Sequence, residues 1–214
     1  MPQVLDYGVA GAESFIEIEW LEFDRPTRKT EQALGERLAT LHRHTADRFG
    51  WIRDNTIGLT PQVNQPSDNW IDFFREHRLE YQLKLAAANG YGGALTDTGR
   101  RLADRLQLLF DGYEPAASLL HGDLWGGNWG SVDGEPVIFD PAVYYGDRES
   151  DIAMTMLFGG FGRAFYDAYS ASWPLAGGHE QRFRLYQLYH VLNHLNLFGN
   201  AYLRQAEALL CELQ

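Results

Sequence analysis

Apolar and polar positions alternate at the start of the chain and give way to helical spacing further on. Residues Val4 to Gly8 and Ser14 to Leu21 read as two strands joined by a turn over Val9 to Glu13. The second of these, Phe15 to Trp20, interleaves apolar and acidic side chains as a half-exposed strand does. A polar break with Pro26 ends it. Thr30 is then placed to cap a helix whose face carries Ala33, Leu34, Leu38 and Leu41. Residues 50–68, rich in Asn, Pro, Gly and Asp, read as an irregular loop. Helical spacing returns from Trp70 to Ala88, with a stop at Asn89-Gly90, and again from about Asp97 to Phe110. Short apolar runs at Ser118–His121 and Pro136–Phe139 predict strands, and the chain from Glu149 onward predicts helices broken at Gly159–Gly162 and Trp173–Gly178. The expectation is an α+β chain: a small β start, then a mainly helical body holding a short hairpin. Repeats and low-complexity linkers are absent, so one domain, or one lobe of a two-lobed fold, suits 214 residues.

Composition narrows the function classes. A net charge of −11 argues against a nucleic-acid surface, which needs dense Lys and Arg. ATP is not excluded, since a metal ion offsets charge locally. The single cysteine, Cys211, rules out a disulfide within the chain and fits a reducing compartment. The first residues show no basic stretch followed by an apolar run, and the longest apolar runs are interrupted well short of membrane-spanning length. A soluble, cytoplasmic protein without membrane partners is expected.

The segment from Leu120 to Asn128 carries the chemistry. It reads Leu-His-Gly-Asp-Leu-Trp-Gly-Gly-Asn, and Asp140 follows Asn128 by twelve positions in Ile138-Phe-Asp-Pro141. Kinases place an aspartate beside the acceptor hydroxyl, an asparagine four intervening residues on, and a further aspartate for the metal. Phosphoryl transfer has a loose transition state, so the protein mainly positions groups and neutralises charge. Asp123 has the chemistry to orient the acceptor hydroxyl and take its proton. Asn128 and Asp140 offer the hard oxygen ligands that magnesium prefers. Gly126 and Gly127 are expected to let the loop turn tightly. His-Gly-Asp alone is no more than a tight turn; the joint spacing with Phe-Asp-Pro is what points to a kinase.

This loop resembles the catalytic loop of fructosamine kinases. The run Ile138 to Asp151, with Tyr145-Gly-Asp-Arg-Glu149 inside it, is similar to that family too. So are Phe73-Phe74, Arg78-Leu79, Gln82-Leu83 and the stretch Leu188–Gly199, and the likeness runs from Val4 onward. Aminoglycoside and choline kinases share the triplet and the asparagine but typically lack Trp125 and the Asp-Pro-Ala-x-Tyr-x-Gly-Asp-Arg-Glu run. The resemblance implies a protein-kinase-like fold, ATP and magnesium as cofactors, and phosphorylation of a fructosamine or ketosamine at the sugar's third hydroxyl, on a small molecule or a glycated protein. Residues 1–23 would be a remnant of the small lobe with its hinge, and residues 24–214 the helical catalytic lobe. The backbone C=O of Glu19 and N–H of Leu21 would meet the adenine edge, with Ile18 behind the base. Trp125 would shape the sugar pocket, and His121 would brace the loop. Asp151 would hold the loop's backbone, with Asp147 and Arg148 in similar support.

Two of the family's features are missing. No glycine-rich loop precedes the first strands, and the only lysines, Lys29 and Lys84, fall in a polar segment and a predicted helix. The chain is thus expected to be a family member lacking its first part, with weak or absent turnover and an open strand edge that invites pairing between copies. A pseudokinase-like binding protein and an aminoglycoside- or choline-type phosphotransferase are the alternatives. His190 and His194, one helical turn apart, lack the glutamate of the zinc-protease motif and read as partly exposed helix residues. Neither Gly90–Gly93 nor Gly159–Gly162 has the spacing of a phosphate loop.

Overall fold

The computed structural model describes all 214 residues, Met1–Gln214. The chain opens with an antiparallel hairpin of β1 (Val4–Ala10) and β2 (Glu13–Ile18), turning at Gly11 with φ +66°. Every residue of β2 is exposed, so this strand is open on both faces rather than half-covered. The chain leaves the hairpin through Phe23 and Asp24. Phe23 stacks on Phe139 at 5.4 Å, the Asp24 N–H donates to Ser131 O at 2.9 Å, and Gly134 N–H donates to the Asp24 carboxylate at 2.9 Å.

Helix α1 (Arg28–His42) starts one turn earlier than the apolar spacing suggests. Thr27 is the cap, and Thr30 closes the capping box by accepting from the Thr27 N–H while its own N–H bonds the Thr27 hydroxyl. A threonine serves at either position, which is why the sequence misleads by three residues. Residues 50–68 are not wholly irregular: β3 (Asn55–Ile57) and β4 (Thr60–Gln62) form a small hairpin across Gly58. The predicted helix over 70–88 is continuous but changes winding. It runs as α2 (Trp70–Phe74), a π-helical turn over Arg75–Leu79, and α3 (Glu80–Ala88). That turn carries the fully buried Arg78, whose guanidinium lies over Phe73, Tyr144 and Tyr189 and donates to Val63 O at 2.6 Å and Asn64 Oδ1 at 2.7 Å. The helix expected from Asp97 to Phe110 begins sooner, as α4 (Ala94–Ala103), and ends in a separate 3-10 turn over Leu106–Phe110.

Four short strands frame the centre of the body. β5 (Ser118–Leu120) pairs not with its neighbour in sequence but with β8 (Tyr144–Gly146), a strand the apolar pattern does not reveal. Between them, β6 (Trp129–Val132) and β7 (Glu135–Ile138) make a hairpin. Helices α5 (Glu149–Leu157), α6 (Arg163–Ser172), α7 (His179–Phe198) and α8 (Leu203–Glu212) complete the chain. One hydrophobic core runs from Leu34 on α1 to Leu213 and includes no residue of the first hairpin. Helices α1 and α6 approach closely because Gly35 has no Cβ to strike the Phe165 carbonyl. The strand pairs thus hang two loops, 121–128 and 139–143, from one framework packed on α1.

Candidate active site

The loop after β5 is shaped by one glycine and one aspartate. Gly122 sits at φ +83°, and a Cβ there would collide with the Ala142 carbonyl, so the two loops can touch only with glycine at this position. Asp151, on the first turn of α5, accepts from the His121 N–H at 2.7 Å through Oδ2 and from the Gly122 N–H at 2.8 Å through Oδ1. His121 is buried, and its Nε2 lies 2.8 Å from the Phe139 carbonyl. A carbonyl only accepts, so Nε2 carries the proton and Nδ1 is left to accept from the Asp123 N–H at 3.3 Å. Burial keeps this imidazole's pKa below its ordinary value, hence neutral. His121 therefore ties one loop to the other.

Asn128 joins the two aspartates. Its Nδ2 donates to Asp123 O at 2.8 Å and approaches the Asp123 carboxylate and the Asp140 carbonyl, each at 3.4 Å. Its Oδ1 and the exposed carboxylate of Asp140 accept no hydrogen bond from the protein. Asp140 itself adopts φ +53°, an uncommon backbone state for a residue other than glycine. An uncommitted amide oxygen and an uncommitted carboxylate beside a second carboxylate are a donor set that suits magnesium and leaves room for water and phosphate oxygens. Burial pushes the Asp123 carboxyl up to about 6, the negative charges of Asp151 and Asp140 add to this, and the Asn128 hydrogen bond works against it. A pKa near neutrality suits a group that must accept a proton at the reacting atom.

A chain of hydrogen bonds supports Asp151 from behind. His42, at the end of α1, lies 3.1 Å from Asp151 Oδ2 through Nε2 and 2.8 Å from the Tyr169 hydroxyl through Nδ1. Arg148 donates to that hydroxyl at 3.0 Å. The series Arg148 to Tyr169 to His42 to Asp151 runs unbroken through these contacts. Burial alone would raise the Asp151 carboxyl, but the bond and charge of His42, with His121 and the Gly122 N–H, hold it below its ordinary value. Asp147 has a different task from that of Asp151. It accepts from Tyr113 at 2.9 Å, Tyr186 at 2.6 Å and the Glu149 N–H at 3.0 Å, and burial foremost raises its carboxyl to about 6. Next to it, Glu149 and Arg182 form a buried pair at 2.7 Å. No surface salt bridge joins Asp147 to Arg148, which instead caps the carbonyls of Trp173 and Pro174. His42, Tyr169 and Arg182 escape sequence reasoning because they belong to no motif. Their only signal is a polar side chain on an apolar helix face.

The other expected residues lie at the margin. Gly126 and Gly127 have no left-handed φ: Gly127 makes room for the Trp125 ring above it, and Gly126 for Gly159 and Gly160. Trp125 is 42% exposed, so it borders the site rather than filling the core. Ile18 pairs with Val4, the Glu19 N–H donates to Gln3 O at 2.8 Å, and the Glu19 C=O and Leu21 N–H bond to nothing in the chain. Because Phe23 stacks on Phe139, the residue before Asp140, the segment that follows these three meets the body beside Asp140. Lys29 lies in the first turn of α1, and Lys84 pairs with Glu80 on α3, so neither is on a strand. His190 is buried, not partly exposed, because α7 is the central helix of the body; His194 is half-buried. No group of three or more His, Cys, Asp or Glu side chains in the chain is arranged to hold a metal ion.

Fold and loop together define a kinase of the protein-kinase-like class that includes small-molecule phosphotransferases. An ADP-bound aminoglycoside phosphotransferase superposes with a TM-score of 0.59 at 14% identity, over 100% of this chain and 75% of that one, which speaks for the fold alone. The fructosamine kinase family model matches residues 1–214, and the chain belongs to that family. A Synechocystis protein assigned as a ketoamine kinase is 48% identical over 212 residues, covering 98% of this chain and 71% of its own length. The chloroplastic protein-ribulosamine 3-kinase of Oryza sativa subsp. indica is 44% identical over 200 residues, 92% of this chain and 58% of the relative. Among solved structures, a Thermobifida fusca protein assigned as a fructosamine-3-kinase superposes with a TM-score of 0.90 at 33% identity, over 99% of this chain and 73% of that one. No helix is long and apolar enough to cross a membrane.

Proposed function

We propose that these residues carry the metal and acceptor side of ATP-dependent phosphorylation of a ketosamine sugar hydroxyl. The observation that supports it most is the position of the Asn128 amide, in reach of Asp123 and of Asp140 at once. Asp123 accepts the proton of the attacking hydroxyl as the new O–P bond forms and the bond from the γ-phosphorus to ADP breaks. Asn128 Oδ1 and the Asp140 carboxylate would hold magnesium, which supplies charge neutralisation across the phosphates. Asp151 fixes the backbone on which Asp123 stands, and Arg148 supports Asp151 through Tyr169 and His42. Glu19, Leu21 and Ile18 take the adenine, and Trp125 flanks the sugar. The division falls near Phe23, with residues 1–23 on the nucleotide side and 24–214 as the catalytic body.

The acceptor class comes from the relatives' names, which specify ketoamines and protein-bound ribulosamines. With no strand lysine among the 214 residues, we infer weak or absent turnover alongside residual magnesium-nucleotide binding. The single exposed cysteine fits a reducing compartment, such as the cytoplasm. The test is phosphate transfer from Mg·ATP to a fructosyl amino acid, followed by mass spectrometry over hours. Asp123→Asn is expected to slow product formation about 100-fold or more. Equal rates in the two proteins would overturn the assignment of Asp123.

A further inference from the structure

Beside the catalytic loop, His194 stands within a ring of aromatic side chains that no step above uses. Its imidazole lies 4.7 Å from Phe158, 5.1 Å from Tyr202 and 5.4 Å from Phe198, centroid to centroid. Its Nδ1 is 2.8 Å from the His190 carbonyl. Since that oxygen only accepts, Nδ1 holds the proton, and Nε2 of the neutral ring presents a lone pair with no partner in the chain. Burial lowers the pKa of His194, so the neutral form prevails at pH 7. Phe158 and Phe198 are 38% and 65% exposed, so the cluster is open to a ligand.

One contact ties the cluster to the catalytic loop. Phe158 runs into Gly159 and Gly160, and a Cβ on Gly126 of the catalytic loop would lie 3.0 Å from Gly159 O and 3.1 Å from Gly160 Cα. On the far side, the tip of the β3–β4 hairpin closes on α7, where a Cβ on Gly58 would lie 3.2 Å from Leu197.

A lone-pair acceptor framed by π faces is matched by a cation that also carries an N–H. The secondary amine of a ketosamine, protonated at neutral pH and one carbon from the sugar carbonyl, is such a group. Resting on the proposed kinase reading, we propose that His194, with Phe158, Phe198 and Tyr202, binds the protonated amine of the acceptor while Asp123 addresses its sugar. The cluster then decides for amine-bearing sugars against free ones.

Calorimetric titration of the 214-residue chain with fructosyl-lysine, fructose and Mg·ADP separates the possibilities. Fructosyl-lysine is expected to bind more tightly than fructose. His194→Phe, which keeps a ring and removes the acceptor, and Phe198→Ala, at an exposed helix end, are each expected to weaken fructosyl-lysine roughly 3- to 10-fold. Neither should change the affinity for Mg·ADP. Equal affinity for the two sugars, unchanged fructosyl-lysine binding in both variants, or no binding of either sugar beside intact Mg·ADP binding each overturns the proposal. Loss of Mg·ADP binding in the unaltered chain would instead count against the kinase reading itself.

Discussion

Replacing Asp151 by asparagine isolates what holds the catalytic loop. The carboxylate is 1% exposed and satisfies the His121 N–H at 2.7 Å, the Gly122 N–H at 2.8 Å and His42 Nε2 at 3.1 Å. An amide has one acceptor oxygen. Its best placement keeps the oxygen where Oδ2 stood, facing His121 and His42, and turns the NH2 toward the Gly122 N–H. Two donors then face each other in a dry site. The loss is one charge-assisted hydrogen bond, about 1.5–3 kcal/mol, plus an unsatisfied buried N–H, about 1–3 kcal/mol. Part of this relaxes, so Asp151→Asn should cost about 3 kcal/mol in urea unfolding followed by tryptophan fluorescence. His42→Ala in the same background should show coupling, because His42 meets the carboxylate directly. A loss below about 1 kcal/mol, with no coupling to His42, would refute the claim that Asp151 fixes this loop.

Other consequences are independent. Gly122→Ala forces a Cβ into the Ala142 carbonyl at a left-handed φ and should lower stability by more than about 2 kcal/mol, read from the same unfolding curves. Glu149→Gln breaks the buried pair with Arg182 and should cost about 3–5 kcal/mol, whereas an exposed control, Arg163→Gln, whose partner is Asp167, should cost nothing measurable. His190 gives an acid response of known sign: burial lowers it from about 6.5 to about 3, so the unfolded chain takes up a proton that the fold refuses. Its contribution is full above pH 6.5 and is lost as pH falls toward 3; Asp123 and Asp147, raised to about 6, act in the opposite sense. The stability difference between His190→Leu and the unaltered chain should therefore swing toward the variant as pH drops from 7 to 4. A difference constant with pH would contradict the burial of an uncharged imidazole. If the open β1–β2 edge pairs between copies, sedimentation will show a mass that rises with concentration and falls after Val9→Lys.

The catalytic loop was legible because its chemistry is local: Asp123, Asn128 and Asp140 lie within eighteen residues, and their spacing encodes one loop and one turn. Helix placement was legible wherever an apolar face meets the core, as for α1 and α7. Boundaries failed where two residues suit the same task, as with Thr27 and Thr30. The β3–β4 hairpin was hidden because three-residue strands carry too few alternations to be seen, and β8 because its partner is β5 rather than its neighbour. The glycines misled for a physical reason. Gly122 carries the unusual φ, while Gly126 and Gly127 provide only space. The supports, His42, Tyr169 and Arg182, reach the site from distant segments, and only the fold brings them there.

The most direct test of the convergence of Asp123, Asn128 and Asp140 is water-proton relaxation with Mn(II), a hard cation that takes the same oxygen ligands as magnesium, titrated with ADP present. Asp140→Asn should weaken the bound Mn(II)·ADP about tenfold or more, while Asp123→Asn, which alters the acceptor side, leaves it unchanged. If Asp140→Asn binds as well as the unaltered chain, or Asp123→Asn loses as much, the three side chains do not form the site described.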